Sequence, residues 1–262
     1  MACPSRPATV SLASGSVRFF DNEEGRLFEF RVTVLVGHFG SGKTEIALNS
    51  AMELAGQGVP VTMADLDVVK PYFRTRSARA LLAEAGIELL APEGENIHAD
   101  LPIVVPQIRS HLRHSERRVI IDVGGDDVGA KVLGSLSDVV PAGETECLLV
   151  LNFRRPSTPD ADGAVDMVRE IEAVGRLPVS GLISNTHLMD ETTPEVIMDG
   201  LDRALETGER LQVPVVGVAA AAEIAGDVEP LTDLPVVVIR RIVSPPFERP
   251  RQRTTGPLFV VN

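Results

Sequence analysis

The chain has 262 residues, of which 44% are hydrophobic, and a formal net charge of −12; this length suits one large α/β domain rather than two independent ones. The acidic excess excludes a broad basic surface for duplex nucleic acid. Cys3 and Cys147 lie far apart without a C-x-x-C pair, which argues against a disulfide framework or a zinc site. No apolar run approaches the roughly 20 residues of a membrane span, and no signal-peptide pattern is present, so we expect a cytoplasmic protein.

The chain divides by pattern into three regions. Residues 1–30 are predicted to be an N-terminal extension compatible with a small β-hairpin, residues 31–243 one α/β domain, and residues 244–262 a proline-rich C-terminal tail. Within the domain, β-branched runs predict strands at Arg31–Val36, Val59–Ala64, Arg118–Asp122, Glu146–Leu151, Val179–Ser184, Val213–Val218 and Leu234–Ile239. Amphipathic stretches between them predict helices at Lys43–Gln57, Ala161–Val174 and Pro194–Glu206. This alternation predicts a three-layer α/β fold with a mainly parallel sheet of about seven strands flanked by helices.

A phosphate-binding loop follows the first predicted strand. The segment matches the Walker A pattern G-x-x-x-x-G-K-[ST] at every fixed position and consists of Gly37, His38, Phe39, Gly40, Ser41, Gly42, Lys43 and Thr44. Glycines let successive N–H groups point at phosphates, and the following helix adds the positive end of its dipole. In such a loop Lys43 bridges the β- and γ-phosphates and the Thr44 hydroxyl ligates Mg²⁺. The motif therefore predicts a P-loop that binds a nucleoside triphosphate.

An aspartate ends the apolar strand Arg118–Asp122, as in a Walker B segment. Because the carboxyl ends of parallel strands border the ligand crevice, Asp122 is expected to face the metal or Thr44. The run Asp122-Val123-Gly124-Gly125 also fits a D-x-x-G switch, in which a glycine N–H senses the γ-phosphate. The alternative is an aspartate that caps the next turn.

A second pair of carboxylates, Asp65 and Asp67, ends the strand that follows the P-loop helix. Side chains two residues apart in an extended segment share one face. Both aspartates are therefore placed to look toward Mg²⁺ or the attacking water. A solvated turn is the alternative interpretation.

These segments together resemble the ParA/MinD/CobQ group of deviant Walker A ATPases, in the SIMIBI class of P-loop proteins, over most of residues 31–240. The family's Asp-x-Asp pair is matched by Asp65 and Asp67, and the resemblance implies that Asp67 positions the hydrolytic water. It likewise implies that Asp122 is the Walker B aspartate. Asn185, at the end of a later predicted strand, corresponds to the asparagine that contacts adenine.

The P-loop departs from that family at two positions. His38 stands where the family has a lysine that crosses a dimer interface, and Phe39 stands where it has a glycine. The resemblance therefore does not extend to the nucleotide-sandwich dimer. The loop is more similar to that of a poorly characterised set of bacterial ParA-like ATP-binding proteins that carry Gly-His-Phe-Gly-Ser-Gly-Lys-Thr and Asp-Val-Gly-Gly-Asp-Asp.

The nucleobase is predicted from the residues after Asn185. GTP-binding members read guanine with Asn-Lys-x-Asp, but this chain has Asn185-Thr186-His187-Leu188, with leucine at the aspartate position. An apolar residue would leave two guanine donors unpaired, a loss of a few kcal/mol in a buried site. The asparagine amide, in contrast, can pair with N6 and N7 of adenine. ATP is therefore the expected nucleotide.

The expected function is Mg²⁺-dependent ATP binding with slow hydrolysis, and the expected catalytic residues are Lys43, Asp67 and Asp122. We expect the protein to act as a nucleotide-driven switch, either on a protein partner or as a homodimer. Two alternatives remain open. A small-molecule kinase or ATP-dependent ligase would need a second substrate pocket, for which the candidates are Arg74, Arg76, Arg154 and Arg155. A non-hydrolysing ATP-sensing module would bind ATP without turnover.

Overall fold

A single sheet of eight parallel strands organises the computed structural model, which describes residues 27–28, 30–67, 79–91, 97–114, 116–125 and 127–242. The strands are β1 Val32–Val36, β2 Val61–Leu66, β3 Glu88–Leu90, β4 Arg118–Val123, β5 Thr145–Leu151, β6 Gly181–Ser184, β7 Val215–Ala221 and β8 Val236–Ile239. The helices are α1 Lys43–Gly56, α2 Arg79–Glu84, α3 Ile97–His114, α4 Asp127–Leu136, α5 Ala161–Gly175, α6 Pro194–Leu211 and α7 Ala225–Val228. Short 3₁₀ turns occupy Met189–Glu191 and Glu229–Leu231.

The strand order is β3-β2-β4-β1-β5-β6-β7-β8. From β1 the chain passes first to β2 and β3 on one side and later to β5 through β8 on the other. The order therefore reverses around β1, and the loops at the carboxyl ends of β1, β4 and β5 meet there. In open α/β sheets such a reversal point is where ligands bind.

Both faces of the sheet are covered, which explains why its central strands are apolar throughout. All five residues of β1 are buried, and their side chains alternate between two core clusters. Val34 packs on the face with Leu133 of α4 and Met167 of α5. Leu35 packs on the opposite face with Ile46 and Leu48 of α1. The expected three-layer α/β architecture is confirmed.

The sequence predicted seven of the eight strands, with ends displaced by up to three residues, and missed β3. β3 has only three residues, lies at the sheet edge and is buried only at Leu90, so its apolar residues form too short a run to be told from part of a helix by pattern alone. The expected N-terminal extension, residues 1–30, lies outside the described residues except for residues 27, 28 and 30, and the expected C-terminal tail, residues 244–262, lies outside them entirely. Within the described ranges, no helix has the length and apolar character needed to cross a membrane.

Candidate functional site

The predicted P-loop connects β1 to α1 and has the backbone that its glycines permit. Gly42, the N-cap of α1, has φ 92°, a left-handed conformation that glycine adopts without strain. A Cβ at Gly42 would lie 2.1 Å from Asn185 Nδ2, and one at Gly37 would lie 2.5 Å from the Val150 carbonyl oxygen. Neighbouring strands thus pack directly against the loop, and a side chain at either glycine would displace it.

Lys43 is folded into the loop that precedes it. Its side chain is buried, and Nζ donates to the carbonyl oxygens of Gly37 at 2.7 Å and His38 at 3.1 Å. The His38 carbonyl also accepts the Ser41 N–H at 3.2 Å, which closes a turn over residues 38–41. The ammonium group is therefore held at the centre of the loop, where the motif requires it.

Thr44 and Asp122, the predicted Mg²⁺ pair, are in direct contact. The Thr44 hydroxyl donates to Asp122 Oδ2 at 2.6 Å, whereas Asp122 Oδ1 is buried with no hydrogen-bond partner among the described residues. Burial raises the pKa of Asp122 to about 7; Lys43 opposes this rise, and Asp65 and Asp67 add to it. The site is therefore arranged around a buried carboxylate whose pKa is raised and whose Oδ1 accepts no hydrogen bond from the described residues.

Asp65 and Asp67 converge on Asp122 from the neighbouring strand. Asp65, the next-to-last residue of β2, lies opposite Asp122 in the β2–β4 register and is 2% exposed. The backbone N–H of Asp67 donates to Asp65 Oδ1 at 3.0 Å. The Asp67 carboxylate reaches the switch segment, where its Oδ1 lies 3.1 Å from the Cβ position of Gly124. Asp65 therefore lies beside Asp122, whereas the Asp67 carboxylate lies beside Gly124.

These residues fit a magnesium ion that is held jointly with a nucleotide. No group of three or more His, Cys, Asp or Glu residues in the described part of the chain has the geometry of a self-sufficient metal centre. Mg²⁺ in phosphate-processing sites uses one or two protein oxygens, the substrate phosphates and water. The Thr44 hydroxyl and the partnerless Oδ1 of Asp122 supply that number of protein oxygens.

The predicted switch segment packs against the backbone of the P-loop. A Cβ at Gly125 would lie 2.5 Å from the Phe39 nitrogen and 2.7 Å from the His38 carbonyl carbon. Behind it, a Cβ at Gly129 in α4 would lie 2.4 Å from the Gly124 carbonyl oxygen. Three backbone segments are therefore stacked in contact, and only glycine fits between them.

Asn185 lies at the site but contacts the P-loop. Its Nδ2 donates to the Ser41 carbonyl oxygen at 2.6 Å, and the side chain is buried. Because a carbonyl only accepts, this contact fixes which end of the amide faces the loop. One of the two N–H groups of Nδ2 makes this hydrogen bond, so the second remains to donate to N7 of adenine. Oδ1 has no donor among the described residues, so it and the second N–H are the groups that remain for a base.

The other predicted positions near the nucleotide are more exposed. Phe39 is 58% exposed at the tip of the P-loop, and Leu188, at the guanine-reading position, is 40% exposed. His38 is partly buried, and its carbonyl is the part of the residue that holds Lys43 and Ser41.

Two of the four arginines considered for a second substrate lie in the described part of the chain. Arg74 and Arg76 lie outside the described residues. Arg154 pairs with Asp199 of α6 at 3.2 Å. Arg155 Nε donates to the Gly40 carbonyl oxygen at 3.0 Å. Arg154 and Arg155 therefore have different partners, and Arg155 belongs to the P-loop site.

Sequence analysis gave Asn152 and His187 no role, although both lie beside the loop. Asn152 Oδ1 accepts the N–H of Arg154 at 3.0 Å and that of His187 at 3.3 Å, which ties the β5–α5 loop to the β6–α6 loop. Burial, with Arg155 and Arg241 contributing, lowers the pKa of His187 to about 4. No short motif marks either residue; Asn152 could have been noticed only as a polar residue that directly follows a buried strand.

Comparison with known proteins gives structural matches. No family model and no curated protein matches the sequence. FtsY from Mycoplasma mycoides is 22% identical, covers 72% of this chain and 59% of its own, and gives a TM-score of 0.50. Chloroplast FtsY from Physcomitrella patens is 19% identical, and the match covers 79% of this chain and 62% of that protein with a TM-score of 0.49. A nucleotide-binding protein from Archaeoglobus fulgidus in complex with ADP is 16% identical, and the match covers 72% of this chain and 81% of that protein with a TM-score of 0.44.

The match to the Mycoplasma FtsY structure, together with the parallel sheet and the loop after β1, decides the fold. It is that of a P-loop NTPase. The SIMIBI class and the likeness to ParA and MinD remain predictions from the sequence. The chain spans less than two thirds of the length of the FtsY structures it matches.

Proposed function

We propose that this P-loop protein binds ATP with Mg²⁺, hydrolyses it slowly and acts as a nucleotide-driven switch on a protein partner. The observation that carries the proposal is the contact between Thr44 and Asp122 at 2.6 Å, with Asp122 Oδ1 left without a partner and Lys43 held in the adjoining loop. A carboxylate with one unsatisfied buried oxygen is costly unless a cation or donor completes it. A Mg²⁺–nucleotide complex supplies that cation.

The chain's own residues divide the work of hydrolysis. Lys43 is placed to stabilise negative charge that develops on the phosphates, together with the N–H groups of the loop. Asp67, at the Gly124 end of the acidic group, orients the attacking water and accepts its proton. Thr44 and Asp122 would hold the ion, which when bound would neutralise negative charge on the phosphates.

Adenine is favoured over guanine by the state of the Asn185 amide. With one N–H of Nδ2 donating to Ser41, the acceptor Oδ1 and the second N–H of Nδ2 remain for the base. Adenine presents a donor amino group at C6 beside the N7 acceptor, which matches these two groups, whereas guanine presents the O6 acceptor there, which would face Oδ1 unfavourably. Leu188 gives guanine no carboxylate in compensation.

The proposed switch is the stacked contact between Gly125 and the P-loop. Because α4 begins at Asp127, two residues after Gly125, a displacement of the loop backbone is passed directly to a helix. Partner binding that depends on the γ-phosphate is expected to use this element. A homodimer is one form that such a partner can take.

Phosphate release tests the hydrolysis. The purified chain is incubated with ATP and Mg²⁺ and no acceptor, and we expect slow release that falls about 100-fold or more in Asp67→Asn. Asp202→Asn, at an exposed position of α6, is the matched control and should retain wild-type turnover. ATP affinity, measured in parallel, should be retained in both variants.

Two results would overturn the ATPase proposal. Tight ATP binding with a turnover that Asp67→Asn leaves unchanged would indicate a non-hydrolysing sensor. Tight binding without any phosphate release at high protein concentration would favour a kinase or ligase that requires an acceptor.

A further inference from the structure

Two side chains from outside the P-loop donate hydrogen bonds to successive carbonyl groups of its backbone. Arg155, in the β5–α5 loop, donates from Nε to the Gly40 oxygen at 3.0 Å. Asn185, which directly follows β6, donates from Nδ2 to the Ser41 oxygen at 2.6 Å. We call Arg155 and Asn185 the clasp.

The clasp sets the direction of the loop's donors. In a trans peptide the C=O and the following N–H point in opposite directions. With the Ser41 carbonyl held by Asn185, the Gly42 N–H points away from Asn185, and it has no partner among the described residues. With the Gly40 carbonyl held by Arg155, the Ser41 N–H is directed at the His38 oxygen and closes the turn. The clasp therefore preorganises the loop for an anion before one binds.

Asn152 makes the clasp a single unit. Its side chain is 1% exposed, and its Oδ1 accepts backbone N–H groups from both loops that carry the clasp. Arg154 precedes Arg155, and His187 lies two residues after Asn185, so Asn152 links the backbone beside both clasp residues. The buried Asn152 side chain therefore helps to fix Arg155 and Asn185 relative to the P-loop.

Arg155 also brings a positive charge that the described protein does not neutralise. Apart from its Nε contact, its guanidinium makes no hydrogen bond and no ion pair with a described residue. The adjacent Arg154 provides the contrast, since it pairs with Asp199. The field of Arg155 reaches the site, where it contributes to the lowered pKa of His187. In a chain with a net charge of −12, a partly buried guanidinium with no carboxylate partner among the described residues is available to pair with another anion.

We propose that Arg155 is a positioning residue for nucleotide phosphates: its Nε fixes the Gly40 peptide of the P-loop, and its remaining charge is balanced by the phosphate groups of a bound nucleoside di- or triphosphate. This inference rests on the proposed nucleotide binding and adds a cationic residue outside the Walker A motif. Arg155 then acts on the phosphates, whereas Asn185 serves both the loop and the base.

The test compares ligands that differ only in their phosphates. Affinities of the full chain for Mg²⁺–ATP and Mg²⁺–ADP are measured by calorimetry, and that for adenosine by ligand-observed NMR. Arg155→Met is expected to weaken ATP and ADP by about 10- to 100-fold and to leave adenosine within about twofold, because a charge-assisted contact to phosphate is lost. Arg154→Met removes a neighbouring arginine of the same loop and should change none of the three affinities.

Arg155→Lys separates the charge from the planar donor group. Lysine keeps the charge but cannot hold a carbonyl with Nε while directing further donors elsewhere, so its ATP affinity should lie between those of wild type and Arg155→Met. It also serves as the second variant if Arg155→Met does not fold, with unchanged ATP affinity then counting against the proposal.

The outcomes are distinguishable. Equal losses for ATP and adenosine in Arg155→Met would reduce Arg155 to a structural brace and overturn the proposal, and so would ATP affinity that is unchanged. A wild-type chain that binds no nucleotide would overturn the proposed function itself. Wild-type binding with an Arg155→Met variant that loses ATP selectively supports both.

Discussion

Asp122 concentrates the electrostatics of the site in one side chain. It is fully buried, accepts one hydrogen bond from Thr44 and has two further carboxylates, Asp65 and Asp67, near enough to raise its pKa. Lys43 is the opposing charge that lowers it. Without a divalent cation, the buried carboxylate is neutralised more readily by a proton than an exposed aspartate is.

The raised pKa of Asp122 should make the free energy of unfolding depend on pH. The pKa of Asp122 rises from 3.8 to about 7 on folding, so the folded state binds the proton more tightly than the unfolded state does. The resulting stabilisation is complete below pH 3.8 and is lost as the pH rises through about 7. In Asp122→Asn the group stays neutral and this loss is absent.

The measurement is urea unfolding of both proteins in EDTA at several pH values. The free energy of unfolding of the wild type minus that of Asp122→Asn should decrease steadily from about pH 4 to pH 7. A difference that stays constant across this window would show that Asp122 does not carry the raised pKa.

Site residues that belong to a sequence motif could be predicted from the sequence. Site residues that reach the P-loop only through the folding of the chain could not. Thr44 and Asp122 are 78 residues apart yet were paired correctly, because each lies at a known place in a strand–loop–helix unit. Arg155 reaches Gly40 across 115 residues, and no local pattern marks an arginine that holds a backbone carbonyl. Asn185 was placed at the site, but its partner was not foreseen, because side-chain direction depends on packing.

At the scale of elements, the switch contact depends on glycine. A Cβ at Gly125 would meet backbone atoms of Phe39 and His38 at 2.5 and 2.7 Å, and neither can move as a flexible side chain does. Gly125→Ala is therefore expected to push the switch segment away from the P-loop. We expect a loss of about 1–3 kcal/mol in the free energy of unfolding and weaker ATP binding.

Gly226→Ala is the matched control, because a Cβ at Gly226 in α7 would meet nothing within 4 Å. Urea unfolding and calorimetric ATP titration of the two variants check the prediction. If Gly125→Ala matches Gly226→Ala in both stability and affinity, the tight contact between switch and loop does not exist in solution.

Element boundaries show what a sequence pattern leaves open. α6 was predicted to end at Glu206 but continues to Leu211, where Gln212 stops it in a left-handed conformation with φ 57°. β3 was missed because a run of three residues, although two of them are leucine, is too short to be told from part of a helix. Central strands such as β1 were found because burial on both faces requires continuous apolar sequence.

Across the whole domain, the P-loop helix connects the proposed nucleotide site to the β8 edge of the sheet. Asn49 of α1, the helix that begins at Lys43, exchanges hydrogen bonds with the backbone N–H and C=O of Arg240, directly after β8. The Glu45 carboxylate accepts the Ile242 N–H. The first and last elements of the domain are thus joined through the P-loop helix, so a ligand that stabilises this helix is expected to stabilise the entire domain.

Thermal unfolding should therefore report nucleotide binding and its base preference. A ligand at 100 times its Kd adds about 2.7 kcal/mol to the stability of the folded state, which for a domain of this size corresponds to a Tm increase of about 5–10 °C. We expect this shift with Mg²⁺–ATP, and a smaller one with Mg²⁺–GTP at the same concentration, because Asn185 Oδ1 meets O6 of guanine and Leu188 offers no carboxylate. Lys43→Ala should remove the shift for both nucleotides. An equal or larger shift with GTP would refute the assignment of the base to Asn185, while leaving the P-loop as the phosphate site.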